Sequence, residues 1–410
     1  MVSAAPTFTV YRARWGVLAV YSLVSLVLQL QWLTFAPIAR EAAAAYGVTP
    51  FEIDLLSLIF MGVFVVMCVP ASYLIDRFGI RFGVGLGSVL IGVFGLVKGL
   101  GADSYVVVAT AQIGLAVAQP LVLNAVTKVA AQWFPIQERA TAVGIATLAQ
   151  FIGIIVVMLV TPALVDRAAP DSGLPGILVI YGVISAVAAA LSLLILRERP
   201  PTPPHPPSAQ PEARLMTLDG IRHMLKQRDM RLIMGLYFIG LGIFNALSTC
   251  IDQLCAGSGL DADETGLVGG VMFITGIIGA AIMPPLSDRR RQRKPFLVLA
   301  MAVMTPALLG LTLASSFLPL VIASAVLGFF LLGAGAPIGF QYAAEVSYPV
   351  AESISQGAIL LVGQLSGIGF IVGINLVGIG PFMWVFVGLG AVATVIAVSL
   401  RESPRITAAS

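Results

Sequence analysis

The sequence predicts an all-α membrane protein of twelve transmembrane helices, arranged as two six-helix bundles with both termini cytoplasmic. Three observations carry that prediction. Of 410 residues, 58% are hydrophobic and 10% are charged. A soluble domain carries about 25% charged residues and has no means of hiding this much apolar surface from water. The apolar residues fall into runs of roughly 20 or more, the length that crosses a bilayer as a helix. The one long polar stretch, 197–230, divides those runs into six and six.

The first run, 15–38, follows a short polar N-terminus and is too long for the core of a signal peptide, so it is kept as a span. Runs at 52–75, 80–100, 104–131, 140–165 and 174–196 complete an N-terminal bundle over 1–196. The linker, 197–230, opens with Pro200-Pro201-Thr202-Pro203-Pro204, a polyproline-like spacer. It continues into a charged segment, Thr217 to Arg228, with the pattern of a surface helix. Runs at 231–256, 265–286, 295–315, 317–345, 352–377 and 381–400 make the C-terminal bundle, 231–410. Within the tenth, Gly333-Ala334-Gly335-Ala336-Pro337 is a stretch that permits bending. Two bundles on a linker are the arrangement that rocks about a midplane site.

Charge sets the orientation. Of the 23 Lys and Arg residues, all but Arg40, Arg167, Lys98 and Lys128 fall on the side of the termini and linker. The opposite loops carry Glu41, Asp103, Asp261, Asp263 and Glu264. The positive-inside rule makes the basic side cytoplasmic. Short loops and a preference for Arg over Lys suggest a multi-pass protein of a bacterial inner membrane.

Polar side chains within the runs mark candidate sites, because a neutral amide in the membrane core is costly unless it is bonded or faces water. Trp32 lies deep in the first run, away from the interface where tryptophans collect. With Gln31 it reads as a cavity wall, while Gln29 serves equally as packing. Gln119 in the fourth run, Asn245 in the seventh and Gln364 in the eleventh read as substrate contacts; Gln112, Gln150 and Asn375 read as packing. Lys98 is placed to snorkel, and Lys128 to pair with Asp76 or Glu138. Asp54, Asp252 and Glu345 lie near run ends as solvated caps, with Asp54 and Glu345 the candidates for ion coupling. No histidine lies in any run, which favours facilitated diffusion or exchange over proton drive. Cys68, Cys250 and Cys255 lack metal spacing and read as packed thiols.

The segment Ser72-Tyr73-Leu74-Ile75-Asp76-Arg77-Phe78-Gly79-Ile80-Arg81 resembles the G-x-L-x-D-R-x-G-R-R/K signature of the major facilitator superfamily, with Ser72 at the first glycine. Leu286-Ser287-Asp288-Arg289 is a weaker second copy. The resemblance implies the major facilitator fold and gives Asp76, Arg77, Gly79 and Arg81 a role in the cytoplasmic gate, with Lys128 beside them. A narrower likeness rests on Gln31-Trp32, Ile53-Asp54-Leu55-Leu56-Ser57, Val97-Lys98, Ala118-Gln119, Lys128 to Phe134, Ala246-Leu247-Ser248-Thr249 and Gly363-Gln364. These resemble the feline leukaemia virus subgroup C receptor family, regarded as choline and ethanolamine carriers and earlier as haem exporters. Its choline pocket implies roles for Trp32, Gln119 and Gln364. Asn245 stands where that pocket has a tyrosine.

The expected function is secondary transport of a small cationic or zwitterionic metabolite by alternating access, by a monomer among membrane lipids. Neither nucleic acid nor a cofactor is expected, and the lack of histidine in the runs counts against haem. A proton-coupled multidrug efflux transporter is the alternative, disfavoured because the fifth run has Thr161-Pro162-Ala163-Leu164 in place of a G-P-x-x-G-G motif. An enzyme is not expected, for want of H-E-x-x-H or G-x-S-x-G.

Overall fold

Inside a bilayer no water is available to a free backbone N–H or C=O, so each apolar run closes its hydrogen bonds within itself as a helix. A computed structural model describes residues 11–135, 138–165, 170–202, 222, 224–347, 350 and 352–403. Twelve helices among them are long and apolar enough to cross a membrane. In order they are Ala13–Tyr46, Pro50–Phe78, Ile80–Leu100, Tyr105–Trp133, Thr141–Leu164 and Gly173–Ile195, then Arg228–Thr249, Ala262–Arg290, Lys294–Leu313, Phe317–Ser347, Ser355–Val377 and Ile379–Ser399. They are called the first to twelfth spans below. The expected surface helix from Thr217 lies largely outside the described residues.

Both described ends lie on the side from which the linker leaves, here called the linker side. Tyr11 shares a hydroxyl hydrogen bond with Thr202 (3.1 Å), and Glu402 accepts from the backbone N–H of Arg293 (2.8 Å).

The two halves repeat one packing plan. The first span packs on the fifth and sixth, the second on the fourth and the third on the sixth. The seventh packs on the eleventh and twelfth, the eighth on the tenth and the ninth on the twelfth in the same way. Local chemistry repeats too. Thr49 with Glu52 and Asp261 with Glu264 form reciprocal capping boxes at the starts of the second and eighth spans, each satisfying otherwise orphaned N–H groups. Glycine lets the tightest neighbours touch: a Cβ on Gly333 would come within 2.5 Å of the Gly279 Cα, and one on Gly182 within 2.6 Å of the Gly95 carbonyl.

Several runs expected as continuous helices are broken. The first span stops at Trp32, turns through a 3-10 segment (Ala36–Ile38, with Pro37) and resumes as Ala39–Tyr46. The seventh ends at Thr249 and a short helix, Ile251–Ala256, follows. The fourth breaks between Leu123 and Val126, just after Pro120, which has no N–H for the ladder. In the tenth, Gly328–Gly335 widens into a π-helix, so the bending expected near Gly333 takes the form of a wider turn.

Candidate functional site

The halves meet along two seams related by the repeat, the fifth span against the eighth and the second against the eleventh. Gly266 brings the eighth span onto the Met158 carbonyl, and the Phe151 and Phe273 rings lie 6.3 Å apart between centroids. Contact is closest on the side opposite the linker, and two polar clusters seal it. Arg40 gives its backbone N–H (2.8 Å), Nε (2.9 Å) and Nη2 (2.8 Å) to the fully buried Asp252 carboxylate. Its Nη2 also donates to the Leu260 carbonyl (2.9 Å). Beside it the Asp54 carboxylate accepts from Gln253 (2.6 Å), Asn375 (2.8 Å) and the Cys250 thiol (3.4 Å). Both clusters tie one half to the other. Asp54 and Asp252 are therefore buried fasteners and not solvated caps, and Asn375, expected as a packing residue, bonds across the halves.

On the linker side each half pairs within itself. Lys128 donates to the Ile75 carbonyl (2.6 Å) and to Asp76 (3.2 Å), while Glu138 pairs with Arg14 (3.0 Å). Glu198, at the end of the sixth span, accepts from the Arg81 backbone N–H (2.8 Å) and from Gln132 (3.3 Å). Its carboxylate fills the space beside Gly79, whose φ of 90° suits glycine. Arg77 lies over the Phe78 ring. In the C-terminal half Arg293 bridges Asp288 and Glu345, the latter at 3.2 Å. Burial works against the Arg293 cation, but the two carboxylates outweigh it and hold its pKa above the usual value. No ion pair among these residues crosses between halves. The polar clusters that join the halves lie opposite the linker.

Of the candidate wall residues, Trp32 and Asn245 lie toward the end opposite the linker, and Gln119 and Gln364 nearer the middle of their spans. Trp32 donates Nε1 to the Ser57 carbonyl (3.3 Å), and the Ser57 hydroxyl donates back to the Trp32 carbonyl (3.3 Å). Asn245 donates to the Gly363 carbonyl (3.3 Å), one residue from Gln364. Met61 of the second span reaches Gly367, which also lies against Asn245. At 1.5 Å per residue, Asn245 lies roughly 26 Å in from Arg228, Gln364 roughly 18 Å from Glu352, where its helix starts, and Gln119 roughly 21 Å from Tyr105 on the other side. The side-chain oxygens of Gln119 and Gln364 are buried yet accept no hydrogen bond. Such atoms normally find a partner.

Gln31 does not join this wall. It is fully buried within its own bundle, donating to Tyr181 O (3.2 Å) and Ser185 (2.8 Å) and accepting from Lys98 (2.9 Å). Lys98, expected to snorkel, is 0% exposed. Gln29 pairs with Gln150 (3.2 Å). A separate cavity of about 50 Å³ within the C-terminal half is lined mainly by apolar groups, including Leu236, Phe244, Met301 and Leu331. No group of three or more potential metal ligands occurs among the described residues.

Sequence reasoning missed the Arg40–Asp252 fastener, although Arg40, with Arg167, stood out as one of two basic residues among acidic loops. Gln253 and Glu198 carried no recognisable signal.

A family model described as Major Facilitator Superfamily matches residues 21–254, and one described as MFS_1 like family matches 230–342. Solute carrier family 49 member A3 of Danio rerio is 31% identical over 375 residues, covering 88% of this chain and 78% of that protein. Choline/ethanolamine transporter FLVCR2 of Homo sapiens is 30% identical over 409 residues, covering 94% and 77%. Among solved structures, an inward-facing bacterial homologue of the human lysosomal transporter Spinster superposes with a TM-score of 0.74 at 16% identity, covering 95% of this chain and 97% of that one. The inward-open xylose transporter of E. coli gives 0.71 at 12%, covering 95% and 97%. The sequence relatives are animal proteins; they support neither the expected bacterial source nor the efflux alternative.

Proposed function

The chain belongs to the Major Facilitator Superfamily and is a multi-pass secondary transporter of small metabolites, and we propose that its substrate is a small cationic or zwitterionic amine of the choline or ethanolamine kind. What supports this is the pair of buried, unpartnered amide oxygens of Gln119 and Gln364, which we take together with Trp32 and Asn245 as one wall. The indole face offers cation–π attraction to a desolvated ammonium, on the order of 1–2 kcal/mol. The amides supply acceptors for a substrate hydroxyl or N–H. Asn245, in place of a second aromatic wall, shifts the balance from π contact toward hydrogen bonding.

Alternating access follows from the seams. The Arg40–Asp252 and Asp54–Gln253–Asn375 clusters close the far side in this state. Asp76, Arg77, Gly79, Arg81 and Lys128 serve the linker side when the halves rock the other way. By the charge bias the linker side is cytoplasmic. Asp54 is the candidate for ion coupling, because its seam opens in each cycle; Glu345 is held by Arg293 on the linker side and serves that gate. The protein acts as a monomer.

The test is a thermal-shift screen of the purified protein and its Trp32→Ala variant against choline, ethanolamine, pyridoxine, basic amino acids and bulky cationic drugs. A ligand at a hundredfold excess over its Kd stabilises the fold by about 2.7 kcal/mol. A shift with a small amine that weakens in the variant supports the reading. Response to bulky drugs alone overturns it.

A further inference from the structure

Lys98 is a fully buried amine in the third span, and no carboxylate among the described residues pairs with it. Its Nζ lies within hydrogen-bonding distance of four neutral oxygens: the Gln31 carbonyl (3.3 Å), Gln31 Oε1 (2.9 Å), Thr34 Oγ1 (3.0 Å) and Gln112 Oε1 (3.4 Å). The Phe35 ring centroid is 4.9 Å away. Four acceptors and an aromatic face suit an ammonium, which has three donors and no lone pair.

The place of this cage in the chain matters more than its composition. The first-span helix ends at Trp32, so its last carbonyls lose their intrahelical partners and the negative end of the helix dipole is exposed inside the membrane. Each of those carbonyls is met. The Leu30 carbonyl accepts from the Thr34 hydroxyl (2.9 Å), the Gln31 carbonyl from Lys98 and the Trp32 carbonyl from Ser57. Lys98 also grips the Gln31 side chain, the residue beside the indole.

We infer that Lys98 is a positioning residue of the transport site: its ammonium caps the broken end of the first-span helix and so fixes the orientation of Trp32. This deepens, and rests on, the reading of Trp32 as a substrate wall. Desolvating an unpaired ammonium is costly, while removing it leaves buried acceptors unmet, so the two terms oppose one another and the net change in stability is small. The cage serves geometry.

The experiment uses the full chain with Trp32 as its only tryptophan (Trp15, Trp133 and Trp384 changed to Phe) and compares it with Lys98→Met, Lys98→Gln and Ser57→Ala. Acrylamide quenching of Trp32, choline Kd and Tm are read together. Lys98→Met is expected to make Trp32 more quenchable and to weaken choline about tenfold, with Tm held. Lys98→Gln, which keeps an N–H donor, restores part of both. Ser57→Ala moves both in the same direction without touching the charge, and carries the test if Lys98→Met does not fold. Unchanged quenching in Lys98→Met and Lys98→Gln, or quenching that rises only as Tm falls, overturns the inference. If quenching rises while Trp32→Ala still binds choline at full strength, the positioning role stands and the substrate-wall reading fails.

Discussion

Replacing Asp252 by Asn tests the closure opposite the linker with a small change of shape. The carboxylate is completely buried and receives three donors from Arg40 at 2.8–2.9 Å. A hydrogen bond to a charged group contributes a net 1.5–3 kcal/mol or so. Arg40 is 39% exposed, so solvent screens part of that, and Asn keeps one acceptor oxygen. About 2 kcal/mol is a fair figure for the loss, equivalent to a shift of roughly 30-fold toward the state opened on that side. The protein carries its own reporter, since Cys255 is 0% exposed three residues from Asp252, and burial pushes its thiol up to about 12. A buried, protonated thiol reacts slowly with maleimide. In a version with Cys68 and Cys250 changed to Ser, a membrane-impermeant maleimide added opposite the linker is expected to label Asp252→Asn about 30-fold faster than its parent. Arg40→Met should give a similar rate, and the double variant little more, because the two residues act as one fastener. A folded Asp252→Asn protein labelled at the parental rate would refute the reasoning.

Two further outcomes follow from contacts already described. Gly333→Val drives a side chain into the Gly279 backbone and should cost about 1–3 kcal/mol, visible as a lower Tm, whereas Gly144→Val, with open space around its Cβ, should not. Gln364→Ala removes an amide whose oxygen has no partner in the protein, so Tm should hold while amine binding weakens by roughly three- to tenfold in a titration.

The twelve helices were legible because lipid imposes one rule on every span. The interruptions were not. Pro37 and Pro120 give a hint, but that the first helix stops at Trp32 depends on Ser57 and Lys98, which arrive from other spans. Gln31 shows the same limit: its neighbour Trp32 turns toward the second span while Gln31 turns to the third and sixth, and hydropathy gives both equal standing. Asp54, Arg40 and Asp252 looked like ordinary charges at span ends because the partner that buries each lies some 200 or more positions away in the other half.

The four residues proposed as the wall, Trp32, Gln119, Asn245 and Gln364, carry no charge, and that has an electrical consequence. A carrier whose binding site is neutral returns empty without moving charge, so a monovalent cation taken across leaves one uncompensated elementary charge per cycle. If no ion binds at Asp54 during the cycle, each 100 mV of membrane potential then contributes about 2.3 kcal/mol to the gradient the substrate reaches, roughly a 50-fold accumulation. For such a cargo, the membrane potential and the substrate's own concentration gradient together set the direction of net flow.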